Sequence, residues 1–243
     1  MYINDDGIQL SAVLEKPEGL EKSPLVILLH GFTSSKNRPH NLLAAEAMRD
    51  AGFATLRFDL YGHGESGGEF RKHTLYKWIS NTMAVIDYAR ALGYSELYLS
   101  GHSQGGLVAA LAAAMEADRI SGLILRAPAF MIPQCARDGS LLGHSIDPAH
   151  IPDSLPVIKD LTLDGNYIRV AQTIYVKDAV DRFEKPVLIL HGDEDDTVPL
   201  ADSQRMAERY KNCRLAVMAG ESHHFDIHPE QMQEIIRDWL LEH

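Results

Sequence analysis

The stretch from Leu97 to Gly106 constrains this chain more than any other. An apolar run, Leu97-Tyr98-Leu99, enters Gly101-His102-Ser103-Gln104-Gly105, and an alanine-rich run over residues 107–115 leaves it. A strand, Gly-x-Ser-x-Gly and a helix in that order make a turn too tight for side chains at its flanks, with the serine lifted above the sheet edge. Gly101 and Gly105 meet that steric demand because they carry no Cβ. The helix that follows points its first backbone N–H groups at the space a carbonyl oxygen would occupy. Ser103 is the candidate nucleophile.

Around this turn, apolar runs alternate with helical patterns. Residues 25–29 form a continuous apolar run that reads as a buried strand, and further strands are read at 54–60, 122–126, 187–190 and 215–218. Residues 8–14 alternate as an antiparallel strand, with residues 1–3 as its hairpin partner. Residues 41–51 read as a helix. Leu75, Trp78, Ile79, Thr82, Ile86 and Ala89 recur at helical spacing. A closing helix starts near Pro229 and gathers Met232, Ile235, Ile236, Trp239 and Leu240 on one face. The pattern predicts one α/β domain over residues 1–243, with a mostly parallel eight-stranded sheet covered by helices on both faces.

Residues 133–183 break the alternation. They hold no clean buried strand, and Pro148, Pro152 and Pro156 cluster with Gly139 and Gly143. The stretch is too long for an ordinary loop. It predicts a cap inserted over the C-terminal edge of the sheet, ending in a helix over about residues 167–180.

Composition excludes several classes. The net charge is −11, and no basic run is long enough to track phosphates, which argues against nucleic-acid binding. The first residues lack a basic leader with an apolar core, and no apolar run reaches the length of a membrane span. Cys135 and Cys213 stand far apart in no metal-like spacing and read as free thiols of a reducing cytoplasm. His224 and His228 lack the carboxylate pattern of a metal site, so neither a metal nor a cofactor is expected. The oligomeric state stays open, a homodimer included.

A serine hydroxyl needs a base that a third group orients. An acidic run, Asp193-Glu194-Asp195-Asp196, follows one predicted strand, and Ser222-His223-His224 follows another. Ser, then Asp, then His is the chain order of α/β-hydrolases. Gly192, Asp195 and Val198 fit the spacing usual after the acid strand, so Asp195 is preferred, with Asp193 and Asp196 as alternatives. His223 is preferred as base, and His224 is expected to turn away. Candidate oxyanion donors are the backbone N–H groups of Phe32, after His30-Gly31, and of Gln104. His30 reads as a brace between loops. The glycine-rich turn Asp59 to Ser66 lacks the Gly-Lys-Ser/Thr ending of a phosphate loop and reads as a turn at the sheet edge.

His30-Gly31-Phe32-Thr33, the Asp59 to Ser66 turn, Gly101 to Gly106, the Gly192/Asp195/Val198 segment and Ser222-His223-His224-Phe225 together resemble the bacterial cinnamoyl (feruloyl) esterases of the α/β-hydrolase superfamily. The likeness runs over nearly the whole chain. Within the insert it includes Asp147 to Asp153, Lys159 to Leu163 and Tyr167 to Gln172. The resemblance implies the α/β-hydrolase fold and hydrolysis of hydroxycinnamate esters, a small-molecule substrate whose aromatic acyl group lies under the cap. It also implies that Asp138 and Tyr167 bind the ring hydroxyl. Between Ser140 and Ser145 the loop is shorter than the family pattern, and a family glutamine has no counterpart. The same machinery would serve a monoacylglycerol lipase or an acyl-thioester hydrolase. A reading of another class, a hydrolase fold that only binds a ligand, usually entails loss of a triad member, and here all three are present.

Overall fold

The computed structural model describes residues 1–20, 23–158 and 160–243, so Lys159 of the insert motif lies outside the described residues. An antiparallel hairpin, β1 (Tyr2–Asp5) and β2 (Ile8–Glu15), opens the chain. β3 (Leu25–Leu29), α1 (Pro39–Asp50), β4 (Ala54–Phe58) and α2 (Leu75–Ala91) follow. Then come β5 (Leu97–His102), α3 (Gln104–Met115) and β6 (Gly122–Arg126).

Here the alternation stops. α4 (Ile132–Asp138) precedes a small hairpin of β7 (Ser140–Leu141) and β8 (His144–Ser145). A second hairpin pairs β9 (Ser154–Pro156) with β10 (Thr162–Asp164), and α5 (Asn166–Gln172) and α6 (Val176–Arg182) complete the segment. The alternation resumes with β11 (Val187–Gly192), α7 (Leu200–Ala207), β12 (Cys213–Met218) and α8 (Pro229–Glu242).

Among the described residues the main sheet has eight strands in the order β1-β2-β4-β3-β5-β6-β11-β12. From β4 to β12 every neighbouring pair is parallel, while β2 pairs antiparallel with β4. β3 is buried at every residue because both its faces are covered. Its alternate residues Leu25, Ile27 and Leu29 join the core beneath α2 and α3, including Trp78, Ile86 and Leu107. Val26 and Leu28 join the opposite core with Met48 of α1 and Met232, Ile236 and Trp239 of α8. The period-2 alternation of a strand thus feeds two helix layers from one apolar run. No helix among the described residues is long and apolar enough to cross a membrane.

Two sequence expectations are corrected in detail. The strand at 54–60 ends at Phe58, and just beyond it Asp59 turns its carboxylate to Lys36. The helix expected over 167–180 is two helices, broken at Thr173, Ile174 and Tyr175. Arg137 Nη1 donates to the carbonyls of Gln172 and Ile174 at 3.2 and 2.7 Å and satisfies them outside the helical ladder. The Thr173 hydroxyl donates to Val170 O at 2.7 Å in the same turn.

Candidate active site

The turn between β5 and α3 holds Ser103 at φ 54° and ψ −122°, outside the regions an L-residue ordinarily occupies. A Cβ on Gly101 would lie 2.2 Å from Gly105 O, and one on Gly105 would lie 2.3 Å from His30 O. Only glycine permits that approach. The strained residue is held from several sides: Gly106, Leu107 and Ala129 N–H donate to Ser103 O at 2.9, 3.2 and 3.0 Å, and Ser103 N–H donates to Arg126 O at 2.9 Å.

The loop after β11 delivers the acid and the loop after β12 the imidazole. His223 Nδ1 lies 2.7 Å from Asp195 Oδ2, and both side chains are buried. Asp195 Oδ1 accepts the N–H groups of Thr197 and Val198 at 2.9 and 2.8 Å. Of the other two carboxylates, Asp193 accepts Gly220 N–H at 2.6 Å and Asp196 accepts the Thr197 hydroxyl at 3.0 Å, so only Asp195 reaches His223. Burial pushes the Asp195 carboxyl up, but bonds from His191, His223 and Val198 outweigh it and hold the group well below the usual carboxylate range. With its Nδ1–H given to Asp195, His223 keeps a lone pair at Nε2.

Sequence reasoning missed His191. It is wholly buried, with Nε2 3.2 Å from Asp195 Oδ2 and 3.0 Å from Val198 O, and Nδ1 2.7 Å from Ser203 Oγ. It clasps the acid loop from within. The only hint in the sequence was an imidazole at the end of an apolar strand.

Ser103 and His223 line one cavity of about 480 Å³, together with Gly31, Phe32, Arg38 and His224. No hydrogen bond joins the Ser103 hydroxyl to His223 in this conformation, and such bonds commonly tighten only when substrate arrives. A larger cavity, about 870 Å³ among α4, α6 and α7, contains neither residue. His224 is exposed; it lines the same cavity and stacks on His40 at 5.8 Å.

The loop after β3 passes close to the nucleophile: a Cβ on Gly31 would lie 3.1 Å from Ser103 Cβ. Among the described residues, neither Phe32 N–H nor Gln104 N–H has a hydrogen-bond partner. His30 braces this loop, with Nδ1 2.8 Å from Gly31 O and Nε2 accepting Leu60 N–H at 3.0 Å. A buried Lys36–Asp59 pair at 2.6 Å fixes the loop further along, and Asp59 also accepts Lys36 N–H and Glu65 N–H. The Asp59 to Ser66 turn is therefore a clamp on the loop carrying Phe32.

The two residues that the resemblance assigns to the ring hydroxyl differ in burial. Tyr167 is wholly buried; its hydroxyl donates to Gln104 Oε1 at 2.7 Å, and its ring lies 6.4 Å from that of Phe32. Asp138 is exposed at the end of α4, accepts Gln134 Nε2 at 2.7 Å and lines neither of the two larger cavities. Among the described residues, no group of three His, Cys, Asp or Glu side chains is placed to hold a metal ion.

A mostly parallel eight-stranded sheet with a strained serine between strand and helix, and a buried His–Asp pair beside it, defines an α/β-hydrolase of the serine hydrolase class. The chain belongs to the family described as serine aminopeptidase, S33, whose model matches residues 21–155. It is similar to Est1E from Butyrivibrio proteoclasticus, solved with ferulic acid bound, at 49% identity and a TM-score of 0.98, covering 100% of this chain and 98% of that one. It is 28% identical over 196 residues to human protein ABHD12B, 79% of this chain and 51% of the relative. A monoacylglycerol lipase of Mycolicibacterium smegmatis is 24% identical over 253 residues, 90% of this chain and 88% of that protein. The chain spans between 51% and 65% of the length of the first curated relatives it matches.

Proposed function

We propose that the chain is a serine carboxylesterase that hydrolyses hydroxycinnamate esters of the ferulate type through an acyl-serine intermediate. Ser103 Oγ attacks the ester carbonyl while His223 Nε2 takes its proton. The carbonyl oxygen becomes an oxyanion, which the N–H groups of Phe32 and Gln104 stabilise. Asp195 holds the imidazole in the needed tautomer and stabilises it when charged. The tetrahedral intermediate collapses, the C–O bond to the alcohol breaks, and His223 protonates the departing oxygen. Water, deprotonated by His223, then attacks the acyl-serine and releases the acid and Ser103.

One observation carries the substrate class: 49% identity along the full chain to a protein that holds ferulic acid. Residues 133–183 act in this reading as the cap over the acyl group. The bond from Tyr167 to Gln104 supports that role, since it seats α5 on the residue next to the nucleophile. The unpaired Cys135 and Cys213 suit a reducing cytoplasm.

The test is a panel of methyl ferulate, a short-chain monoglyceride and an acyl-coenzyme A. The expected result is a preference for methyl ferulate in kcat/KM. A preference for the monoglyceride would favour the lipase reading, which the 24% identical lipase supports. Ser103→Ala should lower kcat by roughly six orders of magnitude. Retention of more than a few per cent of turnover would remove Ser103 from the nucleophile's role.

A further inference from the structure

Glu221 is wholly buried, and no cation pairs with it among the described residues. Its Oε1 accepts the N–H groups of Ser222 and Ile227 at 2.8 and 3.2 Å, and its Oε2 accepts His228 N–H at 2.6 Å. These three backbone bonds, with a longer one from the Ser222 hydroxyl at 3.4 Å, compensate an ion that would otherwise be costly to remove from water. His228 is the N-cap of α8, so the carboxylate also sits at the positive end of a helix.

The backbone of the same residue faces the acid loop. Glu221 O accepts the N–H of Glu194, the neighbour of Asp195, at 3.2 Å. Beside it, Asp193 accepts Gly220 N–H at 2.6 Å. One residue therefore joins the loop of the acid, the loop of the base and the first turn of α8. His223 lies inside the span that the carboxylate closes. So does Phe225, buried at φ 55°, a left-handed conformation that persists only where its surroundings hold it. The reaction steps above leave Glu221 unused.

We propose that Glu221 is a positioning residue for the base: its carboxylate fixes the loop of residues 222–228 against the loop of Asp195, so that one imidazole meets both Asp195 and Ser103. This rests on the triad reading given above. The role calls for a carboxylate. Glutamine offers one acceptor oxygen, and its NH₂ group would face a backbone donor. Aspartate keeps the charge but ends one methylene short of His228 N–H.

The experiment compares Glu221→Gln, Glu221→Asp and Ser103→Ala with the wild type on methyl ferulate. Folding is checked by circular dichroism, and competent sites are counted by fluorophosphonate titration run to completion. In each folded Glu221 variant, kcat per titrated site should fall about 10- to 100-fold with KM within about threefold, the pattern of a displaced reacting group. If Glu221→Gln fails to fold, Glu221→Asp carries the same readout. Wild-type kcat per titrated site in a folded variant, with only a lower melting temperature or fewer sites, would overturn the proposal. An active Ser103→Ala would sink the triad reading instead, whatever the Glu221 variants do.

Discussion

The Tyr167 hydroxyl donates to Gln104 Oε1 at 2.7 Å, bonding the segment between β6 and β11 to the residue that follows Ser103. The other atom of that amide, Gln104 Nε2, is buried without a partner among the described residues. Among the described residues Tyr167 is the one partner of the Gln104 side-chain oxygen, and through it the position of α5 is tied to the turn.

Removing that hydroxyl should therefore be felt twice. Tyr167→Phe leaves the Gln104 side chain unsatisfied, which should cost about 1–3 kcal/mol of stability and lower kcat/KM. Asp138→Asn, at an exposed carboxylate that among the described residues bonds only Gln134, should change neither. Urea midpoints and methyl ferulate kinetics check both. A larger effect at Asp138 than at Tyr167 would reverse the assignment drawn from the geometry.

The choice among the acidic residues is testable in the same way. Asp195→Asn should keep the fold but lower kcat by about four orders of magnitude, as the matching change does in serine proteases. Asp193→Asn keeps an oxygen for Gly220 N–H and should stay within about threefold of wild type. Equal losses in the two variants would count against Asp195 as the partner of His223.

Acid should unfold this protein early. Burial, reinforced by neighbouring cations or imidazoles, lowers His30 and His73 to about 3 and His40 to about 2. In the unfolded chain each titrates near about 6.5. Below that pH the unfolded state binds protons that the folded state refuses, so stability is full above it and falls as pH drops toward the folded values. Each histidine adds a slope of up to about 1.4 kcal/mol per pH unit across that window. Urea midpoints should drop markedly between pH 7 and pH 5, and His73→Phe, which keeps an aromatic ring beside Phe32 and Trp78, should flatten part of the drop. Midpoints that stay level over this range would refute the prediction.

Much of this is legible in the residue order. The turn at Ser103 follows from steric demands within a five-residue span, and β3 and α8 follow from apolar periods of two and 3.6 residues. Such effects act between neighbours in the chain, so residue order alone sets them. The spacing from Gly192 also pointed to Asp195, although three carboxylates stayed open until one was seen to reach His223.

Other features depended on distant partners. The helix expected to run unbroken to residue 180 stops at Gln172 because Arg137, on another element, draws off two carbonyls. His191, Lys36 and Glu221 stand in no motif that sequence reasoning singles out, yet they are buried braces in the fold. The sequence by itself determined the strands, the helices and the strained serine, because sterics and periodicity are local. The tertiary structure decided which carboxylate reaches which imidazole and which loop passes that serine, because the pairing of β3, β5, β6, β11 and β12 in one sheet brings their ends together.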